Sequence, residues 1–281
     1  MKSSNDPKSD ISKKPFRVLS WGCGVQSTTL AVMSAIGDLP GLDLVITADT
    51  GWERQRTYEI RDLYVDWLHQ RGIKVEIIIN GNIRYLGAKE HVHIPFWTSN
   101  GGPLKRQCTR EFKIRPIRRR VREILGYPPD RPPHPKPGAV EKWLGISLDE
   151  WHRMKSSRVA FEVNRYPLIE KRITRNDCIK YLQEHKLPVP PSSACVCCPY
   201  RSASAWVEMR DDGTSDFQDA IKFDETNRHN PLAKRGDTTA DELFIYQYSP
   251  LQDADLEADS AKEKKASQPP LFICESGHCM I

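Results

Sequence analysis

Apolar runs alternate with amphipathic segments through the first third of the chain. The short runs at residues 16–19, 42–48 and 75–79 have the length and side-chain types of buried strands. Between them, residues 27–36 and 60–68 repeat apolar side chains at helical spacing. This rhythm predicts an α/β fold, a Rossmann-like parallel sheet with helices on both faces. Ligands of such sheets bind at the carboxyl ends of the strands, so the segments that follow the first two strands are the candidate site.

The segment after the first strand has the composition of a phosphate-binding turn, and we call residues 20–28 the glycine loop. Gly22 and Gly24 let the backbone turn sharply and approach a ligand closely. The helix that begins at Ser27 and Thr28 presents free N–H groups and the positive end of its dipole. A tight connection without a ligand is the alternative. The nucleotide contacts expected in the loop are Ser20, Gly22, Gly24, Gln26, Ser27 and Thr28.

Residues 113–125 form a predicted helix with one apolar and one basic side. Ile117 and Val121 belong to the apolar side. The basic side carries Arg115, Arg118, Arg119, Arg120 and Arg122. Such a surface is either solvated or in contact with phosphates of a nucleic acid, and both interpretations stay open here.

Two later helices begin with capping signals. Ser147 and Glu150 resemble a capping box at the start of a short helix. Thr174 and Asp177 start a longer one, and the spacing of Cys178 places it in the core.

Four cysteines from two segments form a candidate metal site. Cys195 and Cys198 make a CxxC with Cys197 inside it, and Cys108 directly precedes the arginine-rich helix. Three or four thiolates suit zinc or an iron–sulfur cluster, and the spacing does not choose between the two. A redox pair is the alternative, but a redox CxxC normally opens a helix after a strand, whereas this one follows a proline-rich loop and precedes Pro199.

The sequence of the C-terminal region predicts a linker followed by a cysteine-bearing tail. Residues 251–270 are charged and poor in large apolar side chains, which predicts a flexible linker. Residues 271–281 are apolar and contain Cys274 and Cys279. These two thiols either complete the metal site, reach the nucleotide pocket as mobile groups, or are incidental.

Composition narrows the class of protein. The chain has 281 residues, of which 38% are hydrophobic, and no apolar run approaches membrane-spanning length. Residues 1–15 are polar and lysine-rich, which predicts a disordered tail rather than a secretion signal and favours a cytoplasmic location. Cysteines in that compartment stay reduced, which favours metal ligation over disulfides. We therefore expect residues 16–250 to form one nucleotide-binding domain that includes the cysteine site. The sequence does not indicate an oligomeric state.

Three motifs in order resemble the phosphoadenosine-phosphosulfate (PAPS) reductase and PP-loop ATP-pyrophosphatase superfamily, in its iron–sulfur branch. They are the glycine loop, Asp49-Thr50-Gly51-Trp52-Glu53 at the end of the second strand, and a cysteine followed by lysine and proline over residues 108–116. The resemblance spans residues 16–201. The glycine loop departs from the family pattern, because Val25 and Gln26 stand where the family has lysine and aspartate or aspartate alone.

The resemblance implies roles for named residues. It implies an adenine nucleotide, ATP or adenylyl sulfate, held by the glycine loop together with Asp49, Thr50, Gly51 and Lys113, with Mg²⁺ as an accompanying ion. It implies a 4Fe-4S cluster, with zinc as the alternative, on Cys108, Cys195 and Cys198, and with Cys197, a tail cysteine or an external sulfur as the fourth ligand. The catalytic candidates are Asp49, Cys274 and Cys279.

Three functions follow as expectations. The first is sulfur transfer to tRNA or DNA after ATP activates the acceptor, with the helix from Arg115 to Arg122 binding the nucleic acid and a protein supplying the sulfur. The second is reduction of adenylyl sulfate or PAPS by Cys274 or Cys279, with release of sulfite and reset by thioredoxin. The third is a metal-stabilised nucleic-acid-binding module without catalysis. The arginine cluster favours the first.

Overall fold

Strands and helices alternate along the chain in this computed structural model, which describes residues 14–89, 93–231, 240–247 and 249–265. The first half contains β1 (Phe16–Ser20), α1 (Val25–Ile36), β2 (Leu44–Asp49), α2 (Gln55–His69), β3 (Val75–Ile79), α3 (Ile83–Leu86), β4 (Trp97–Thr98) and α4 (Arg115–Ile124), with a π-helical turn at Thr109–Ile114. The second half contains β5 (Val140–Leu144), a 3₁₀ turn at Leu148–Arg153, β6 (Glu162–Arg165), α5 (Pro167–Glu170), α6 (Arg175–Glu184), α7 (Ala203–Asp211), α8 (Asp216–Asn227), β7 (Leu243–Phe244), a 3₁₀ turn at Leu251–Asp253 and α9 (Leu256–Lys265).

The central sheet has five strands in the order β3-β2-β1-β5-β6, and neighbouring strands run parallel. In the middle strand, Leu19 lies opposite Val45 on one side and Trp143 on the other. The predicted α/β fold is confirmed. The apolar runs identified β1, β2 and β3 but not β5, because β5 carries Glu141 and Lys142 within its five residues.

Helices cover both faces of the sheet, as predicted. On one face, Leu19 and Val45 pack with Tyr64 of α2 and Leu182 of α6. On the other face, side chains of β1 and β2 pack against α4 through residues such as Val121. Sheets buried on both sides have the continuous apolar strands seen in β1 and β2. None of the helices in the described ranges has the length and apolar character needed to cross a membrane.

A separate core joins the later helices to the end of β2. Trp52, three residues after β2, packs its ring against Phe223 of α8 at 5.0 Å between centroids. Phe96, Trp206 of α7 and Leu256 of α9 belong to the same cluster. This core fixes the segment with the CxxC against the carboxyl edge of the sheet.

The prediction of a flexible linker over residues 251–270 is wrong for residues 251–265. Leu251 and Leu256 are buried in the core just described, and α9 packs on α7. The Glu263 carboxylate accepts hydrogen bonds from the backbone N–H groups of Ala203 and Ser204 at the start of α7. Two leucines among many charges do not form a recognisable apolar run, so the sequence pattern missed this helix.

The two capping signals have different outcomes. Thr174 and Asp177 form the capping box at the start of α6. The Ser147 side chain makes no capping hydrogen bond at the start of the 3₁₀ turn. Its hydroxyl accepts a hydrogen bond from the Gln26 amide instead.

Candidate functional site

The glycine loop connects β1 to α1 and is held by its own side chains. The Ser27 hydroxyl accepts a hydrogen bond from the Gly22 N–H and donates one to the Gly24 carbonyl, both at 3.2 Å. The Trp21 indole donates to the Thr28 hydroxyl at 3.0 Å. Ser27 and Thr28 therefore shape the loop from within the first turn of α1, which begins at Val25, two residues before the predicted start at Ser27.

Cys23 occupies an unusual conformation inside this loop. Its φ is +58, in the left-handed region that favours glycine. Its thiol is buried 3.6 Å from the Thr47 hydroxyl, and burial raises the pKa of Cys23 to about 12. The thiol is therefore neutral at physiological pH and lines the site as a small apolar group.

A pocket lies where the glycine loop meets the end of β2, and we call it the loop pocket. It is lined by Trp21, Gly22, Cys23, Thr47, Ala48, Asp49, Glu53, Thr57, Tyr58, Arg61, Lys113 and Ser193. Of the residues predicted to contact a nucleotide, the structure brings Gly22, Asp49 and Lys113 to this pocket.

Gln26 has a different place from the one predicted. Its side chain is fully buried, accepts a hydrogen bond from Arg175 at 2.9 Å and donates to Glu150 at 3.2 Å and to Ser147 at 3.4 Å. These partners tie α1 to α6 and to the 3₁₀ turn. The Gln26 amide is thus not among the groups that line the loop pocket.

Asp49 organises the turn after β2. One carboxylate oxygen accepts from the Gly51 N–H at 2.7 Å and from the Tyr58 hydroxyl at 2.9 Å, and the other accepts from Arg61 at 2.8 Å. Gly51 has a φ of +75, and the Cβ of any larger residue would lie 3.0 Å from Asn82. The turn therefore needs both the carboxylate and the glycine, and Asp49 holds Arg61 at the wall of the pocket.

A buried ion pair joins the end of β2 to the π-helical turn before α4. The Lys113 ammonium donates to Glu53 Oε1 at 2.9 Å, with both side chains more than nine-tenths buried. The same oxygen accepts from the Thr50 hydroxyl at 3.0 Å and from the Cys195 thiol at 3.4 Å. Glu53 Oε2 is buried without a hydrogen-bond partner. In the sequence, Glu53 is only the last residue of the motif that begins at Asp49. Its position four residues after Asp49 is the signal that could have identified it as a site residue.

The four cysteines of the predicted metal site line one further pocket, which we call the cysteine pocket. Its walls include Thr50, Arg106, Cys108, Lys113, Cys195, Cys197, Cys198 and Tyr200. The CxxC closes a turn in which the Cys198 N–H donates to the Cys195 carbonyl at 3.0 Å, and Arg201 donates to that carbonyl at 2.9 Å. A bridge between Glu53 and Cys195 fixes this turn beside β2.

The donor set fits a soft metal in its chemistry, since thiolates are the ligands that zinc and iron–sulfur clusters favour. Burial raises the pKa of the Cys197 thiol, and the nearby Cys108 adds to the effect. Within the described ranges, no three His, Cys, Asp or Glu side chains are already arranged to hold a metal ion. The structure thus gathers Cys108, Cys195, Cys197 and Cys198 around one space without closing a ligand shell.

The arginine-rich helix α4 is largely paired within the protein. Arg118 forms an ion pair with Glu162 at 2.9 Å, and Arg120 forms one with Glu76 at 2.7 Å. Arg122 is buried and donates to the backbone carbonyls of Pro128 and Arg131, in the loop that follows α4. Arg115 and Arg119, exposed by 54% and 43%, approach Asp130 at the surface. Arg120 is exposed to a similar extent, by 42%, but pairs with the partly buried Glu76, so Arg115 and Arg119 are the arginines named here whose ion pairs with Asp130 lie at the surface.

The predicted catalytic thiols, Cys274 and Cys279, lie outside the described residues. The structure does place α9, the helix before them, against the start of α7, five residues after Cys198.

Comparisons with known proteins give similarities of fold. The sequence matches no protein-family model and no curated protein. Among solved structures, the chain is similar to phosphoadenylyl-sulfate (PAPS) reductase from Candida auris in a phosphate complex, with 10% identity, a TM-score of 0.38, and coverage of 64% of this chain and 78% of that one. It is also similar to the U34-tRNA thiolase NcsA from Methanococcus maripaludis with its 4Fe-4S cluster, with 14% identity, a TM-score of 0.37, and coverage of 92% of this chain and 84% of that one. Both are of the kinds that the three sequence motifs resemble.

Proposed function

We propose that this protein is an adenine-nucleotide-dependent sulfur-transfer enzyme that carries an iron–sulfur cluster and acts on nucleic acid, either tRNA or DNA. The observation that supports this proposal most directly is that the loop pocket and the cysteine pocket share a wall. Lys113 lines both of them, and its partner Glu53 also accepts hydrogen bonds from Thr50 and Cys195. A nucleotide in the loop pocket and a sulfur in the cysteine pocket would lie on either side of one buried ion pair.

The glycine loop and the N-terminus of α1 would hold the phosphates of ATP. An oxygen of the acceptor attacks the α-phosphorus of ATP, and pyrophosphate leaves with the bonding electron pair. A sulfur at the oxidation level of sulfide then attacks the activated atom of the acceptor, and AMP leaves with the oxygen. Lys113 would stabilise negative charge in both steps, because it lines both pockets.

The cysteine pocket would hold the cluster through Cys108, Cys195 and Cys198, with Cys197 as the candidate fourth ligand. When bound, an iron–sulfur cluster supplies a soft site for a sulfide ligand. Arg106 and Lys113 also line this pocket and would add positive charge beside the thiolate ligands. Zinc on the same ligands is the alternative.

Anaerobic purification followed by iron, sulfide and zinc analysis tests the metal centre, and incubation with ATP tests the reaction. We expect iron and sulfide in similar amounts, and pyrophosphate release that tRNA or DNA stimulates. Sulfite release from adenylyl sulfate without ATP turnover would contradict sulfur transfer. Binding of nucleic acid without any binding of nucleotide would instead favour the non-catalytic module.

Substitution of single cysteines tests the ligand set. We expect Cys108→Ala, Cys195→Ala and Cys198→Ala each to lose metal. Cys178→Ala is the matched control, because Cys178 is a buried thiol on α6, remote from the cysteine pocket. Full metal in the first three variants would show that the ligands are wrong.

Reduction of adenylyl sulfate or PAPS is the second candidate, and the position of α9 favours it. Glu263, near the last described residue of α9, accepts hydrogen bonds from the start of α7, which begins five residues after Cys198. Deletion of residues 271–281 distinguishes the two functions. A reductase would lose sulfite release, whereas a sulfur-transfer enzyme that does not use the tail would keep its ATP turnover.

A further inference from the structure

One carboxylate oxygen of Glu53 accepts hydrogen bonds, and the other has no hydrogen-bond partner. Oε1 accepts from Lys113, Thr50 and Cys195, all of which line the cysteine pocket. Oε2 is buried and has no hydrogen-bond partner. Glu53 itself lines the loop pocket and not the cysteine pocket. The second oxygen is therefore left for an occupant of the loop pocket.

A buried carboxylate oxygen without a partner is costly, so the site is complete only when a ligand supplies a donor or a cation. Asp49, the other carboxylate at this pocket, is occupied at both oxygens by Gly51, Tyr58 and Arg61. Residues 20–28 contain no acidic residue. Among the described residues that line the loop pocket, Glu53 is thus the carboxylate with an oxygen available.

We infer that Glu53 Oε2 is a ligand for the divalent cation that accompanies the phosphates of the nucleotide, Mg²⁺ in the cell. Mg²⁺ at nucleotide sites is typically held by one or two carboxylates, the phosphates and water, rather than by a complete protein cage. A single available carboxylate beside a phosphate-binding loop fits this pattern, as does the lack of a preformed metal cage in the described ranges. The inference rests on the proposed nucleotide site and assigns its cation.

The geometry also assigns a further role to Lys113. By occupying Oε1, Lys113 fixes the carboxylate and leaves Oε2 as the oxygen that a ligand in the loop pocket can use. The cation ligand and the wall of the cysteine pocket are therefore the same side chain. Lys113 acts here as a positioning residue for Glu53.

Calorimetric titration of the full chain with ATP, in Mg²⁺ and in EDTA, tests this inference with Glu53→Gln. The glutamine keeps an oxygen for Lys113 and replaces the second oxygen with an amide NH₂, which cannot bind a cation. We expect Mg²⁺ to tighten ATP binding to the wild type by about tenfold or more, and this gain to disappear in Glu53→Gln. In EDTA the variant should bind ATP no more weakly than the wild type, because the substitution removes a negative charge from the pocket that holds the phosphates.

Glu59→Gln is the matched control, since Glu59 is a half-exposed glutamate on α2 outside both pockets. It should keep the full Mg²⁺ gain. If Glu53→Gln does not fold by circular dichroism, Glu53→Asp replaces it, because the shorter side chain withdraws the carboxylate and should lower the gain.

Two outcomes would overturn the assignment of Glu53 as the cation ligand without contradicting the proposed nucleotide site. Equal weakening of ATP binding in Mg²⁺ and in EDTA would mean that Glu53 accepts a hydrogen bond from the nucleotide itself. An unchanged Mg²⁺ gain in a folded Glu53 variant would mean that the cation lies elsewhere. Failure of the wild type to bind ATP under either condition would contradict the proposed function, and the inference with it.

Discussion

Gln26 bonds its amide to the protein, although it stands in the loop that the sequence assigns to a nucleotide. The amide connects α1 to Arg175 of α6 and to Ser147 and Glu150 of the 3₁₀ turn. Sequence spacing could place Gln26 at the start of α1, but it could not show which way the side chain turns. That direction depends on Arg175, which is 149 residues away in the chain.

Gln26→Ala tests this structural role. We expect the free energy of unfolding to fall by about 1–3 kcal/mol, because Arg175 and Glu150 lose a buried partner. Urea denaturation measures the change, with Gln183→Ala on the exposed side of α6 as the control. ATP affinity should change little. A large loss of ATP affinity at full stability would return Gln26 to the nucleotide site.

Helix α4 is attached to the sheet by charges as well as by its apolar side. Burial by itself would raise the pKa of the Glu162 carboxyl, but the hydrogen bonds and charges of Arg118 and Lys142 outweigh burial and hold this pKa below its ordinary value. A lowered pKa means that the folded state favours the charged carboxylate. The stabilisation is therefore present at neutral pH and is lost as the pH falls through the pKa of the folded state.

Glu162→Gln is expected to lower the free energy of unfolding at neutral pH by about 2–3 kcal/mol, less than for a fully buried pair because Arg118 reaches solvent. The difference from the wild type should shrink as the pH falls below the ordinary glutamate pKa of about 4.3. Urea denaturation across this pH range measures it. A difference that stays constant into acid would show that packing, not charge, attaches α4.

The open part of α4 is the place to test nucleic-acid binding. Arg115 and Arg119 are exposed and their ion pairs with Asp130 contribute little, so their loss should not unfold the helix. In the double variant Arg115→Ala/Arg119→Ala we expect weaker tRNA or DNA binding, and a fall of about two in the slope of log K against log salt. Arg118→Ala should instead lower stability. An unchanged salt slope would mean that the nucleic acid binds elsewhere.

At the scale of the whole molecule, the sequence predicted the sheet and the loop better than the second core. Strands β1 and β2 are largely buried and β3, at the edge of the sheet, is mostly apolar, so all three leave apolar runs that can be recognised locally. Strand β6 and helix α9 depend on partners distant in the chain, such as Arg118 for Glu162 and α7 for Glu263. The cysteines were grouped correctly around one pocket because thiols have few other uses in such a pattern. Glu53 was missed as a site residue because its role depends on Lys113, 60 residues later.

Helix α9 links the stability of the second core to the cysteine pocket. Leu256 is buried in the cluster that also contains Cys195 and Cys197, and α9 holds the start of α7 just after the CxxC.

We expect Leu256→Ala to lower the free energy of unfolding by about 2–5 kcal/mol, because it leaves a cavity in this core. If the cysteine pocket carries the metal, the variant should also release it faster to a chelator, since the CxxC turn loses part of its support. Thermal unfolding and chelator kinetics measure the two effects, with Lys262→Ala as the control because Lys262 is largely exposed and pairs with Asp259 of the same helix. Loss of stability with unchanged metal release would show that contacts other than those of α9 hold the CxxC turn, such as the bridge between Glu53 and Cys195 and the hydrogen bond from Arg201.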